Sequence, residues 1–485
     1  MRSARFPAVL IVIAVAAGFR PLAGAQNSQQ AGAVAVGRLA LTTNSTAAKE
    51  EFWRGFEDWQ SGAYSSAQKH FRRAVSLDEK FALARVLSTG EDPSPAAVME
   101  RERATPDAAR QSTEEGLVAL FWREKALGHP ARARALLRAA MQLVPNEPTL
   151  AVEYIWSSNA DGVDAKMNLD SARAFRARFP NYAPLAYPIP FLTMNVGDTA
   201  GALRAAEEYT RIAQRAPVSF GNYGGLLQQL GRFDEAEAQY RKGMALLPTH
   251  SDYGTDPASA LAELYELRGR NSDARAVAAE ALSRVTDARD SAMYMTELAG
   301  TYFAAGDTPR GTQLLERARQ ASPTFGNAAD PTRLDFILAE ANAVFGDGRA
   351  ARSHLARLSP ETPVDSALVL VVSSLTYGYG GQLDSALVYS DRLVNNTTVP
   401  WRERWGHRTR GIALATAKQC DRAKAELTQA DTSSVEVLTM LADCEMQLGH
   451  RDAALALRDR AVKTQEFTFF RPAFVRARVR LAQMN

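Results

Sequence analysis

The sequence predicts an all-α protein, a solenoid of about eleven stacked helix-turn-helix units, on three observations. The chain has 485 residues, more than one hydrophobic core ordinarily organises, so several domains or a repeat array is expected. A small residue recurs at Ala67, Ala133, Ala172, Ala202, Ala236, Ala274, Gly311, Ala351, Ala386, Ala423 and Ala454, at intervals of 30 to 40 residues after Ala133. A glycine stands five positions before nine of these eleven: Gly62, Gly128, Gly197, Gly231, Gly269, Gly306, Gly346, Gly381 and Gly449. Glycine suits the left-handed turn that ends a helix, and a small residue in the next helix lets the pair approach closely. Met167 and Lys418 stand where the other two repeats lack the glycine.

The clearest copy is PVSFGNYGGLLQQLGRFDEAEAQYRKGMALLP, residues 217–248. Phe220, Tyr223, Gly224 and Leu227 mark a first helix, Gly231 a turn, and Phe233, Ala236, Tyr240 and Gly243 a second helix that Pro248 stops. This spacing resembles the tetratricopeptide repeat. Tyr265, Tyr302 and Tyr377 recur at the first-helix aromatic site, and the resemblance extends over residues 46–464. It implies a right-handed superhelix whose concave surface binds peptides or other proteins.

The remaining elements follow in chain order. Residues 1–25 combine Arg2 and Arg5, an apolar run from Pro7 to Phe19 and a small-residue exit at Ala23–Ala25, which reads as a cleavable secretory signal. The run is too short to span a bilayer, and no later segment is long and apolar enough, so no stable membrane insertion is expected after cleavage. Residues 26–45 lack a helical period and read as a flexible lead-in. Phe52, Trp53, Phe56 and Trp59 form a stripe expected to face the core against Phe71. Residues 89–113, rich in Pro, Ser, Thr and charge, read as an irregular insertion around a short helix starting near Ser94, with room for one poorly matching repeat between Ala67 and Ala133. The Pro-rich turn at residues 180–190 marks either a change of superhelical path or a prolonged turn. Residues 465–485 alternate apolar and basic residues and predict a capping helix after Pro472.

The signal holds three arginines and no acid, so the mature chain carries fifty-four residues of each sign. That balance offers no bulk attraction for nucleic acid or anionic lipid. The six histidines are dispersed, with no helical pair to hold a metal, and neither a phosphate-binding Gly-rich loop nor a G-x-S-x-G elbow occurs. No cofactor, metal or catalytic residue is therefore assigned.

Glu263, Glu297 and Glu340 each sit beside the small residue of a first helix. Either they are solvated surface acids or they line a weakly acidic groove that prefers basic or amide-rich peptide. Asn222, two residues before Gly224, occupies the position at which the resembled family holds a partner's backbone or terminal carboxylate, with Gln229 further along the helix. The carboxylate-binding variant also needs cations in neighbouring first helices, where this chain has Ala260 and Glu297. Arg408 is the basic residue expected on the same concave side. Trp401 and Trp405, one turn apart among charges, are core or exposed anchors. Cys420 and Cys444 are a disulfide candidate between adjacent repeats, or two buried small hydrophobes.

These readings predict a non-enzymatic protein- or peptide-binding scaffold of a bacterial cell envelope, periplasmic or secreted. The alternatives are an all-helical carbohydrate-active enzyme working with paired carboxylates, or a glycan- or peptide-capturing component of an envelope uptake or assembly system.

Overall fold

A computed structural model describes residues 38–60, 64–90, 95–160, 162–247, 256–286, 288–321, 331–346, 348–358, 363–397, 399, 401–464 and 472–483. Residues 1–25, read above as a signal, and residues 26–37, together with Gly62, Pro248 and His250, lie outside them. Among the described residues there is no strand, and no helix is long and apolar enough to cross a membrane.

Twelve helix pairs succeed one another. They are α1 (Thr46–Gln60) with α2 (Tyr64–Leu77), α3 (Ala82–Ser88) with α4 (Pro95–Gln111), α5 (Thr113–Ala126) with α6 (Pro130–Leu143), and α7 (Pro148–Ala160) with α8 (Ala165–Arg178). Next come α9 (Ile189–Asn195) with α10 (Thr199–Ile212), α11 (Pro217–Gln229) with α12 (Phe233–Met244), α13 (Pro257–Leu267) with α14 (Asn271–Arg284), and α15 (Ala288–Ala304) with α16 (Thr308–Ala321). The last are α17 (Pro331–Val344) with α18 (Gly348–Leu355), α19 (Pro363–Tyr379) with α20 (Leu383–Val394), α21 (Arg402–Thr416) with α22 (Cys420–Leu427), and α23 (Val435–Gln447) with α24 (Arg451–Lys463). A single helix, α25 (Pro472–Gln483), follows. Each pair packs on the next, so the core is a continuous ribbon between pairs.

The small-residue frame is the organising contact. All eleven marked residues are buried. A side chain placed on Gly224 would bring its Cβ within 2.4 Å of the Tyr240 ring, and one on Gly311 within 2.8 Å of Phe303. Eight of the nine turn glycines are described, and all have positive φ. At the α11–α12 turn Gly231 N–H donates to the Gln228 carbonyl at 2.9 Å and Arg232 N–H to the Leu227 carbonyl at 2.9 Å, closing the helix end. Lys418 makes the same turn at φ 60° despite its side chain, with Gln419 N–H donating to the Leu414 carbonyl at 2.9 Å.

Two expectations are corrected, and the Pro-rich turn takes a definite form. Residues 89–113 hold the expected helix and the poorly matching repeat, but the helix is long and the span is no irregular insertion: α4 fills most of it, and α3 with α4 is the twelfth pair. Pro95 opens α4, and Pro106 is accommodated inside it. In the α7–α8 repeat the turn glycine is Gly162, at φ 69°. The turn there carries one extra residue, so Asn168 fills the small-residue seat, its Nδ2 donating to the Ile155 carbonyl at 3.2 Å, and Ala172 sits one helical turn further on. The Pro-rich turn forms a 3-10 turn, Ala183–Ala186, and then the shortened α9.

The aromatic stripe of α1 is core, as its period predicts: Phe52 and Phe56 are buried with Phe71 and Phe81, and Trp59 meets Trp122 edge to face at 4.7 Å. Ahead of it, residues 38–45 form no helix but are held fast. Glu147 accepts from Arg38 Nε at 2.8 Å and Leu39 N–H at 3.3 Å, and Glu115 accepts from Thr42 N–H at 2.6 Å and Oγ1 at 2.8 Å.

Candidate interaction groove

The first helices of successive pairs form one continuous surface, and α25 lies on it. It packs against α13, α15, α17 and α23, with a lesser contact to α24. A capping helix would cover the end of the last pair; α25 instead spans first helices that are far apart in the chain.

Its apolar side explains the seat. Val475 joins the cluster of Leu298, Leu334, Ile337, Leu338 and Ala341. Ala477 and Leu481 join Leu267, Val435, Leu438 and Ala461. Fully burying a side chain such as Val475 or Leu481 contributes roughly 1.5–3 kcal/mol. With second helices behind it and α25 in front, α17 is buried at every position from Leu334 to Val344.

The arginines of α25 add directional contacts. Arg476 Nη1 donates to the Val344 carbonyl at 2.9 Å, at the open end of α17, and its guanidinium lies 4.7 Å from the centre of the Tyr379 ring. Tyr379 Oη donates in turn to Glu436 at 3.0 Å, and Glu436 accepts Arg408 Nε at 2.7 Å. Arg408 stacks over Trp405 at 4.4 Å. Four elements, α25, α19, α23 and α21, are thereby linked through side chains. Burial, with Glu436 beside it, holds the Tyr379 phenol well above its usual range. Arg480 pairs with Asp443 at 2.9 Å; burial raises the Asp443 carboxyl, with Arg480 pulling the other way.

The sequence-predicted groove residues fall on this series of first helices, but three of the six are enclosed. Asn222 on α11 is 2% exposed, and Glu340 on α17 is also buried. Gln229, Glu263 and Glu297 keep partial exposure. Arg408 is not the expected groove cation: it is 4% exposed and committed to Glu436, which is 1% exposed. The cause is packing, since a buried guanidinium is retained only where a carboxylate meets it. Trp401 and Trp405 are half-buried against each other, edge to face at 5.8 Å, and Trp401 borders an open depression of about 540 Å³ with Glu403, Arg404, His407 and Gln429. Cys420 and Cys444 are free buried thiols rather than a disulfide. They lie within hydrogen-bonding reach of each other, and burial, reinforced by Cys420, pushes the Cys444 thiol up.

Sequence reasoning missed Tyr379, Glu436, Asp443, Arg476 and Arg480. One signal was available: no acid follows Glu466, and four arginines do. The carbohydrate-active alternative gains no observation, because Glu115, Glu147 and Glu436 hold chain segments together.

Comparison with known proteins agrees with the repeat reading. A family described as Tetratricopeptide repeat matches residues 218–250, the copy singled out from its spacing. No curated protein matches the sequence. Among solved structures, the chain is similar to a tetratricopeptide repeat protein from Parabacteroides merdae, at 13% identity over 57% of this chain and 94% of that one, with TM-score 0.30. It is also similar to human IFIT1, solved as a dimer with PPP-AAAA (14% identity, 85% and 98% covered, TM-score 0.39), and to yeast Tom70 (15% identity, 89% and 94% covered, TM-score 0.37).

Proposed function

From the premise that this chain is a tetratricopeptide-repeat protein, we propose that it is a non-enzymatic scaffold that binds a protein or peptide partner through the surface of its first helices. The observation that carries this reading is that the surface already holds a peptide segment, α25, by apolar burial and by Arg476 and Arg480. A partner of that kind, rather than nucleic acid, suits a mature chain of balanced charge. The place of action is the periplasm or exterior of a bacterial cell, as the signal-like residues 1–25 suggest.

Photo-cross-linking tests the groove. A photoreactive residue at Glu263 or Glu297 is expected to trap a partner in cells, and one at Arg317, exposed on the second helix α16, is not. Equal trapping at all three sites, or trapping from Arg317 alone, overturns the assignment. An alkaline phosphatase fusion after Gln60, active only when exported, checks the compartment.

A further inference from the structure

The occupant of the groove is α25, a segment of the same chain, and the manner of its attachment says what else would fit. A helix bonds its backbone internally, so α25 is held through side chains and can leave without orphaning a row of backbone groups. Its described contacts are Val475, Ala477 and Leu481 on apolar clusters, Arg476 on the end of α17 and the face of Tyr379, and Arg480 on Asp443. The helix itself, PAFVRARVRLAQ, has three arginines and no acid. Of the acids on the helices that carry it, Asp443 on α23 pairs with Arg480 at 2.9 Å, while Glu436 on the same helix is taken up by Arg408 and Tyr379. An apolar strip flanked by acceptors for two arginines, a carboxylate for Arg480 and a carbonyl with an aromatic face for Arg476, is the pattern by which a groove selects a basic amphipathic helix.

Resting on the groove reading above, we propose that α25 is an exchangeable occupant: the surface of α13, α15, α17, α19 and α23 is a receptor for a basic amphipathic helix presented by a partner protein, and α25 keeps that seat until the partner displaces it. Residues 465–471 tether α25 to α24, which makes it an intramolecular competitor at an effective concentration on the order of millimolar. An external helix therefore binds with an apparent affinity reduced by the fraction of molecules whose groove is closed. If α25 is docked nine-tenths of the time, the apparent Kd rises about tenfold.

The test uses the full mature chain and a labelled synthetic peptide of residues 465–485. The double substitution Arg480→Glu with Leu481→Asp in the chain reverses the charge facing Asp443 and places a carboxylate in the Leu267 cluster, ejecting α25. Fluorescence anisotropy is expected to show the wild-type peptide binding this variant at least about tenfold more tightly than the unsubstituted chain. A peptide carrying the same two substitutions should not bind. Equal binding to both chains, or loss of helical circular dichroism throughout the variant, overturns the proposal. Hydrogen exchange on the unsubstituted chain provides a second reading: α25 amides should exchange by local opening while those of α17 stay protected, and equal protection of the two identifies α25 as a fixed part of the core. If Glu263 and Glu297 still trap a partner while the peptide fails to bind, the scaffold reading stands and the basic-helix receptor falls.

Discussion

The two ends of the described chain are anchored by opposite means. Residues 38–45 form no helix and are tied to Glu115 on α5 and to Glu147 just ahead of α7, and α25 lies as a helix on α13 to α23. A segment in neither helix nor sheet carries unpaired backbone N–H groups, and two of them, on Leu39 and Thr42, find the buried carboxylates of Glu147 and Glu115. The helix brings no such need and relies on apolar burial, with arginines at its flank. The difference teaches which end can detach: leaving costs the first segment its backbone partners and orphans two buried carboxylates, and it costs the second mainly surface area.

Four substitutions test this contrast, the largest effect first. Glu436→Ala removes the carboxylate that faces buried Arg408 and the acceptor for Tyr379, and should destabilise the chain by about 3–5 kcal/mol, read as a lower urea midpoint. Leu481→Ala should weaken the seat of α25 by about 2–5 kcal/mol. The loss should appear as faster hydrogen exchange in α25 while α5 and α7 keep their protection. Glu147→Ala removes the acceptor of Arg38, Leu39 and Thr149 and should cost about 1–3 kcal/mol, seen as faster proteolysis ahead of Thr46 with α25 unaffected. If the two ends respond alike, the contrast between them fails.

The smallest effect concerns pH. Burial raises the Glu115 carboxyl, against the bonds from Thr42. The unfolded chain therefore loses that proton first as pH rises, so stability falls from the ordinary glutamate value of 4.5 up to the raised folded value and is level above it. Glu115→Gln should abolish that slope. Urea midpoints measured from pH 4 to 7 for both proteins should diverge across this window; parallel curves would remove the assignment.

Much of the repeat was legible because its determinants are local. A turn glycine and a small residue five positions on act within one helix pair, so Ala236 and Gly231 could be read without knowing what surrounds them. Where the local rule bent, the reading slipped. Gly162 starts a turn with one extra residue, and the frame settled on Ala172 although Asn168 holds the seat. In residues 89–113 the helix start near Ser94 was legible, but its length was not, because Pro106 lies inside α4 where proline usually ends a helix. The groove was legible only in part. Placing Asn222, Glu263, Glu297 and Glu340 on first helices needed only the repeat, but the closing of the surface around α17, where Glu340 lies, involves α25, whose Arg476 is 132 residues along the chain from its contact at Val344. Arg408 read as a groove cation because its partner Glu436 is 28 residues away in another repeat.

The apolar cluster in which Ala477 and Leu481 of α25 bring Leu267 together with Val435 and Leu438 changes how the molecule should come apart. A solenoid whose repeats touch only their neighbours behaves as a one-dimensional chain and can unzip from either end, one unit at a time. Here the seventh and twelfth pairs are joined through the centre, so the segment from α13 to α25 becomes a closed loop of mutual dependence. Fraying of α24 exposes apolar surface on α13, and cooperativity that would otherwise fade over a few repeats returns to the point where it started. The earlier pairs, outside this loop, retain the stepwise melting of an open array.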